Sequence, residues 1–234
     1  RSAGVWKTTN GGATWAATGL YWDQTGSTED GYKLLMDPSN ANVLYCITST
    51  SVYKTTNAGS TWTNIEPSGG SSYRDMEFKP GTSSTLYLSG GIRVYRSTNS
   101  GSTWVQELNV SGAQRIALGV TPANSNYVYA LCGPNVGSGA FKGVYRSTNS
   151  GASFSLRGTT PNILGYANNG NDASNQSWYD LALAVSPTNA NEIHTGGINC
   201  WKSPNGGLNF SLTSKWVEYS AGANYTHADI HELV

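Results

Sequence analysis

Short apolar runs separated by polar turns organise the chain. Residues 33–36 form one such run, Pro38 follows it, and a second run covers 43–47. Runs of this length between Pro, Asn and Ser residues predict β-strands. The same order of run, proline turn and run returns in three more segments, at 75–78 with 86–88, 116–120 with 127–131, and 181–185 with 192–194. We interpret each pair as strands A and B of a repeated four-stranded unit.

A ten-residue motif recurs five times between these pairs. It opens and closes with an aromatic residue and carries an Asn at its fifth position and a Gly at its seventh. The copies occupy 6–15, 53–62, 95–104, 145–154 and 201–210. Asn can bond its own backbone in a turn, and Gly supplies positive φ, so the motif predicts a hairpin turn between strands C and D. We expect the Asn side chains to bond backbone amides and the closing aromatics to be largely buried. The Asn residues are Asn10, Asn57, Asn99, Asn149 and Asn205.

The spacing of this motif predicts the fold. The closing aromatics recur at intervals of roughly 42–56 residues, a period typical of a four-stranded propeller blade. We therefore predict an all-β protein, a β-propeller of four-stranded antiparallel blades. Residues 1–234 are predicted to form one domain. Its blade portions cover about 1–18, 19–66, 67–108, 109–158, 159–214 and 215–234.

The first and last predicted strands indicate an incomplete propeller ring. The chain opens inside a C–D hairpin at 4–6 and stops in what we expect to be an A strand at 230–233. Unpaired strand edges promote association, and propellers normally avoid them by closure. We expect the remainder of the same polypeptide, or another chain, to cover these edges.

The charge balance excludes two classes of partner. Fourteen basic residues balance fourteen acidic ones, whereas nucleic-acid binding needs a basic stripe. No apolar run has the length of a membrane helix, so we predict neither nucleic-acid binding nor membrane insertion. Cys46, Cys132 and Cys200 stand singly, and we interpret them as small buried strand residues.

The ten-residue motif resembles the Asp-box repeat of the bacterial neuraminidase type, with Asn where that family has Asp. The blade length and the A–Pro–B pattern resemble sortilin-like and xyloglucanase-like propellers. Segments 178–191 and 227–231 are similar to large secreted propeller proteins of Bacteroidetes. The resemblance implies a secreted or cell-surface location, in a bacterium, and a fold that hosts both enzymes and binders. Sialidase activity is disfavoured, because its arginine triad and Arg-Ile-Pro motif are not recognisable here.

Aromatic residues in the D–A loops are candidates for ligand binding. They are Trp22, Tyr166, Trp178 and Trp216. Aromatic rings beside amides and hydroxyls suit a sugar. In the alternative interpretation, the rings pack the loops onto the strand ends.

Acids near the starts of A strands are candidates for catalysis. Asp75, Asp180 and Asp229 come from different blades, so spacing identifies no pair of the kind that glycosidases use. In the alternative interpretation, Asp75 pairs with Arg74 or a neighbouring blade, and Asp180 satisfies backbone groups.

His227, Asp229 and His231 alternate along the last predicted strand. Alternate strand residues share a face, and His and Asp suit a divalent metal, so the three form a candidate metal site. The alternative is a hydrogen-bonded structural cluster, and no cofactor is predicted.

Two functions follow from these observations. The first is an extracellular propeller module that binds glycan or protein, or serves as a scaffold in a larger secreted protein. The second is a glycoside hydrolase of the xyloglucanase-like type with two channel-facing carboxylates. Two acids that converge in an open cleft would favour the second.

Overall fold

The computed structural model describes residues 3–22, 29–135, 139, 141–217 and 224–233, and all regular elements in them are β-strands. Among these residues, no helix is long and apolar enough to cross a membrane.

A two-stranded hairpin, β1 (Gly4–Lys7) with β2 (Ala16–Tyr21), comes first. Four antiparallel sheets of four strands follow, each ordered as in the chain, which confirms the predicted blades. Blade I consists of β3 (Gly31–Met36), β4 (Leu44–Thr48), β5 (Val52–Thr55) and β6 (Thr63–Asn64). Blade II consists of β7 (Tyr73–Lys79), β8 (Thr82–Gly90), β9 (Arg93–Ser97) and β10 (Val105–Asn109). Blade III consists of β11 (Ala113–Val120), β12 (Val128–Pro134), β13 (Gly143–Ser147) and β14 (Ser155–Gly158), and blade IV of β15 (Ala182–Val185), β16 (Ile193–Gly196), β17 (Cys200–Ser203) and β18 (Ser211–Ser214).

The first strand of each blade lies beside the first strand of its neighbour. The Leu118 N–H of β11 donates to Asp75 Oδ2 of β7 over 2.7 Å. Val185 of β15 covers Gly119 of β11 so closely that a Cβ at Gly119 would lie 2.9 Å from Val185 Cγ2. The A strands therefore surround a common centre, as in a propeller.

Apolar side chains fill the interfaces between blades. Tyr45 and Ile47 of blade I pack in one cluster with Met76 and Leu88 of blade II. A second cluster joins blades II and III, and a third joins blades III and IV. Truncating a fully buried residue such as Leu131 to Ala would cost about 2–5 kcal/mol. Because each cluster belongs to two blades, a blade is stabilised mainly by its neighbours.

Each repeat turn, meaning the five-residue stretch from an Asn of the motif to the fourth residue after it, is closed by the Asn side chain. Asn57 Oδ1 accepts from the Thr61 N–H over 2.9 Å and from the Thr55 hydroxyl over 2.9 Å. The same bond to the fourth following N–H recurs for Asn10, Asn99, Asn149 and Asn205. The residue after each Asn has positive φ, as in Ala58 at 56°. The Asn side chain thus satisfies the backbone where the turn leaves the ladder.

The repeat turns also join neighbouring blades. Lys54 Nζ of blade I donates to the Ser100 carbonyl of the blade II turn over 2.9 Å. Trp104 in turn donates from Nε1 to the carbonyl of Ile65, which follows blade I, over 2.7 Å. Four of the closing aromatics are half-buried by such contacts, but Trp15 is 59% exposed. The expectation of burial was wrong for Trp15, because its hairpin has no described blade before it.

The predicted last strand is not formed. Residues 230–233 have no ladder partner among the residues that the structure describes, and Asp229 has a φ of 75°, which interrupts an extended backbone. The segment is held instead by the Ile230 N–H, which donates to the Gly197 carbonyl over 3.1 Å. It therefore lies across blade IV without extending a sheet.

Candidate functional site

A central cavity of about 490 Å³ opens where the A strands converge. Its walls come from all four blades and from the segment after Ile230. The lining includes charged, aromatic and apolar side chains. They are Tyr32, Lys33, Arg74, Asp75, Glu77, Arg115, Ile116, Ala117, Leu118, Trp178, Tyr179, Leu181, Ala182, Leu183, His231, Glu232 and Leu233.

A β-bulge lies at the start of the first strand in three successive blades. In β7, Tyr73 pairs with Gly90 and Asp75 with Ser89, so Arg74 is the extra residue. Tyr32 and Gln114 are the extra residues of β3 and β11. A bulge breaks the alternation of side chains and re-aims the residue it adds. Arg74 and Asp75, although consecutive, therefore both line the cavity.

Lys33 holds the two acids of β7. Its Nζ lies 2.6 Å from Asp75 Oδ1 and 2.6 Å from Glu77 Oε1. Burial lowers the pKa of Lys33, but attraction by the two carboxylates outweighs burial and places that pKa above its usual range. Asp75 also accepts from the backbone N–H groups of Met76 and Leu118. The cluster ties blades I, II and III together and leaves both Asp75 oxygens occupied.

Two arginines stand beside this cluster. The Arg74 guanidinium lies over the Tyr32 ring, 4.0 Å from its centroid. Arg115 donates from an Nη atom to the Tyr179 carbonyl over 2.6 Å. Burial, and next the charge of Arg74, lower the pKa of Arg115. We call Arg74 and Arg115 the arginine pair; among the described residues, neither has a carboxylate within salt-bridge distance.

The aromatic candidates divide between two cavities and one ring pair. Trp178 lines the central cavity beside Tyr179, with ring centroids 5.6 Å apart. Tyr166 and Trp216 contact each other edge to face at 5.7 Å, and Trp216 Nε1 donates to the Tyr166 carbonyl. Trp22 lines a separate cavity of about 300 Å³. The structure therefore does not collect the four rings in one groove.

The mouth of the central cavity is nevertheless aromatic. Tyr32, Trp178 and Tyr179 are 40%, 50% and 45% exposed, so each ring is accessible in part, and Arg74 covers one face of Tyr32. The Tyr179 ring packs edge to face on His231 at 4.8 Å. Tyr32 and Tyr179 were not among the four aromatic residues predicted to bind a ligand, although Tyr179 adjoins Trp178 in the sequence.

Two acidic candidates lie beside each other on the blade IV side. Asp180 is only 1% exposed. Burial, and next the repulsion from Asp229, raise the pKa of Asp180 from 3.8 to about 6. Asp229 accepts from Gln176 Nε2 over 2.8 Å. A raised pKa beside a second carboxylate is a pattern of acid–base sites, but Asp180 does not line the central cavity.

The three candidate metal ligands point to different partners. His227 Nδ1 lies 2.7 Å from the Ala228 carbonyl, Asp229 bonds Gln176, and His231 packs on Tyr179. The strand alternation that would align them is absent, because φ at Asp229 is positive. Within the described part of the chain, no three His, Cys, Asp or Glu side chains form a group that could hold a metal.

The cations of the site were missed from the sequence. Lys33, Arg74 and Arg115 stand near the start of the first strand in blades I, II and III. Their even spacing in the sequence is not a repeat signal, because the bulges align Lys33 with Asp75 and Arg115, whereas Arg74 is an added residue like Tyr32 and Gln114. A single basic residue at a strand end has no specific implication.

Comparisons with known proteins identify the fold. Neither the protein-family models nor the curated proteins contain a match. Among solved structures, an ancestral GH74 enzyme superposes on 81% of this chain with a TM-score of 0.61 and 22% identity, and the match covers 24% of that enzyme. YCF48 bound to D1 peptide superposes on 88% of the chain and 59% of its own length, with a TM-score of 0.53 and 17% identity. A structure of the nidogen/laminin complex superposes on 83% of this chain and 66% of its own chain, with a TM-score of 0.54 and 12% identity. The chain is thus a β-propeller module that spans about a quarter of the GH74 enzyme it matches.

Proposed function

We propose that this propeller module binds carbohydrate at the aromatic mouth of the central cavity without cleaving it. One observation carries the proposal: the Asp75 and Glu77 carboxylates of the cavity are held by Lys33, while the rings at the mouth are accessible. Asp75, which accepts from Lys33 and from two backbone N–H groups, is a poor nucleophile or base. Exposed ring faces beside polar groups suit a pyranose.

The similar structures support a binding function in general and leave the class of ligand open. One of them is a GH74 enzyme, one is YCF48 bound to a peptide, and one is a nidogen/laminin complex. The same fold supports unrelated functions, so the residues of the site must decide. Here the mouth carries three accessible rings, which favours a saccharide.

A glycan array followed by calorimetry on the full chain tests the proposal. Trp178→Ala should weaken binding of the best glycan about tenfold, because an accessible ring contributes roughly 1.4 kcal/mol. Trp15→Ala is the matched control, since Trp15 is equally accessible but lies in the first hairpin. Equal binding by both variants and the parent chain, with unchanged melting temperatures, would contradict the proposed site.

A glycoside hydrolase is the second candidate, and Asp180 with Asp229 is the observation that favours it. A carboxyl with a pKa of about 6 could donate a proton to a leaving group near neutral pH. A polysaccharide hydrolysis screen that includes xyloglucan distinguishes hydrolysis from binding without cleavage. Cleavage by the parent chain that Asp180→Asn abolishes would replace the binding proposal, whereas no cleavage supports it.

We also propose a secreted or cell-surface location in a bacterium. It is supported by the resemblance to secreted propellers noted above. Fractionation of the source cells, with detection by antibody, tests it, and recovery in the cytoplasmic fraction alone would exclude it.

A further inference from the structure

The arginine pair is the feature of the cavity that the fold itself does not explain. Lys33 binds two acids and ties three blades together, but Arg74 and Arg115 form no ion pair within the described part of the chain. Their only described contacts are the Tyr32 ring and the Tyr179 carbonyl. Two partly buried like charges repel each other. Burial, and next the charge of Arg74, lower the pKa of Arg115 although Asp180 and Asp75 attract it, so a carboxylate bound between the two guanidiniums would relieve their repulsion.

The acids around the pair are committed elsewhere. Asp75 and Glu77 bind Lys33, and Asp180 is buried and attracts Arg115 without forming an ion pair with it. Glu232 also lines the cavity but forms no ion pair with either arginine. The guanidiniums keep most of their N–H donors, because Arg115 uses one Nη atom and Arg74 presents its face to a ring. Planar guanidiniums of this kind bind carboxylates with two parallel hydrogen bonds.

The surroundings favour a singly charged, ring-containing ligand. Asp75, Glu77 and Glu232 line the same cavity, and they would repel the double charge of a phosphate more strongly than a single carboxylate. Tyr32, Trp178 and Tyr179 offer ring faces at the mouth, next to the arginines. A volume of about 490 Å³ is within the usual size range of small-ligand pockets.

We propose that the arginine pair binds the carboxylate of a uronic acid, so that the ligand of this module is an acidic oligosaccharide whose sugar rings pack on Tyr32, Trp178 and Tyr179. This inference rests on the proposed carbohydrate binding and specifies its ligand class. The carboxylate is held without any covalent step. The pair therefore acts as a specificity determinant for charge, and the rings supply the contact area.

Calorimetry at low salt tests the inference with trisaccharides of galacturonic, glucuronic and mannuronic acid and with their methyl esters. An ester keeps the sugar and removes the charge. We expect at least one acid to bind, its ester to bind at least tenfold more weakly, and added salt to weaken only the acid. Arg74→Gln and Arg115→Gln should each reduce acid binding at least tenfold. Arg93→Gln is the matched control, because Arg93 contacts Gly69 outside the cavity and should leave binding unchanged.

The outcomes separate this inference from the function on which it rests. If acids and esters bind equally and the arginine variants match the parent chain, the charge specificity is wrong and carbohydrate binding stands. If no saccharide binds but a tetraglutamate peptide does, the carbohydrate proposal itself is overturned. Should a Gln variant fail to fold, Arg74→Lys and Arg115→Lys keep the charge but lose the planar fork. They should still bind the acid more weakly than the parent chain, and unchanged affinity would refute the arginine contacts.

Discussion

Replacing Asp180 with Asn should stabilise the protein at neutral pH. The Asp180 side chain is 1% exposed, and among the described residues its Oδ2 has no hydrogen-bond partner. Its pKa rises from 3.8 to about 6, first because of burial and second because of Asp229. The ionised form is therefore disfavoured in the folded state, and folding at neutral pH must overcome that cost.

The magnitude and its sign follow from the two pKa values. One pKa step corresponds to about 1.4 kcal/mol, so a rise from 3.8 to about 6 corresponds to roughly 3 kcal/mol. Because the folded-state pKa is raised, the contribution of Asp180 is fully present below pH 3.8 and is lost as the pH rises through 6. Asn carries no charge, so Asp180→Asn should remove this dependence and raise the free energy of unfolding at pH 7.5 by up to about 3 kcal/mol.

Urea denaturation of the parent chain and of Asp180→Asn between pH 4.5 and 7.5 measures the effect. The difference in free energy of unfolding between the two proteins should grow with pH and level off above 7. Asp229→Asn is the informative companion, because removal of that charge should lower the Asp180 pKa and move the midpoint to lower pH. A difference that stays constant with pH would show that the pKa of Asp180 is the same in the folded and unfolded protein, and so that the carboxyl is not buried as described.

Two further predictions concern the repeat turns, and both are measured by urea denaturation. Ser100 has a φ of 55°, so Ser100→Gly should stabilise by about 0.5–1 kcal/mol, whereas Gly151→Ala should destabilise by about 1–3 kcal/mol. Gly151 has a φ of 76°, and a Cβ there would lie 2.6 Å from Tyr87 Cε1. A change in the free energy of unfolding that has the same sign for both variants would contradict this account of the turn. Asn149→Ala should cost about 1–2 kcal/mol, because Asn149 accepts from the Ser147 hydroxyl and the Ser153 N–H. Asn149→Asp keeps these acceptors and should stay within about 0.5 kcal/mol of the parent chain; an equal loss in both variants would show that the amide nitrogen is the essential group.

The fold was predictable because its determinants are local. The ten-residue motif closes its turn with a side chain that reaches four residues along the chain, as Asn57 does with Thr61. The strand pairs around Pro38 and its equivalents likewise join neighbours in sequence. Short-range hydrogen bonds of this kind leave a pattern that a single sequence displays.

The cavity was not predictable, because its determinants are relations between blades. A bulge such as that at Arg74 exists only relative to the register of β8. The contact of Lys33 with Asp75 joins residues 42 positions apart. For the last segment, alternation alone predicted a strand, but a strand also needs a partner edge, and φ at Asp229 turns the backbone away from one.

The three bulges have a consequence for how such a module can diversify. Tyr32, Arg74 and Gln114 each stand outside the ladder of their blade, while flanking residues such as Tyr73 and Met76 fill the core. Tyr32 and Arg74 line the cavity, so a substitution at either position changes the chemistry at the rim and leaves the pairing of the buried residues intact. These two positions therefore form a natural site for a combinatorial library, in which ligand preference could be varied at little cost in stability.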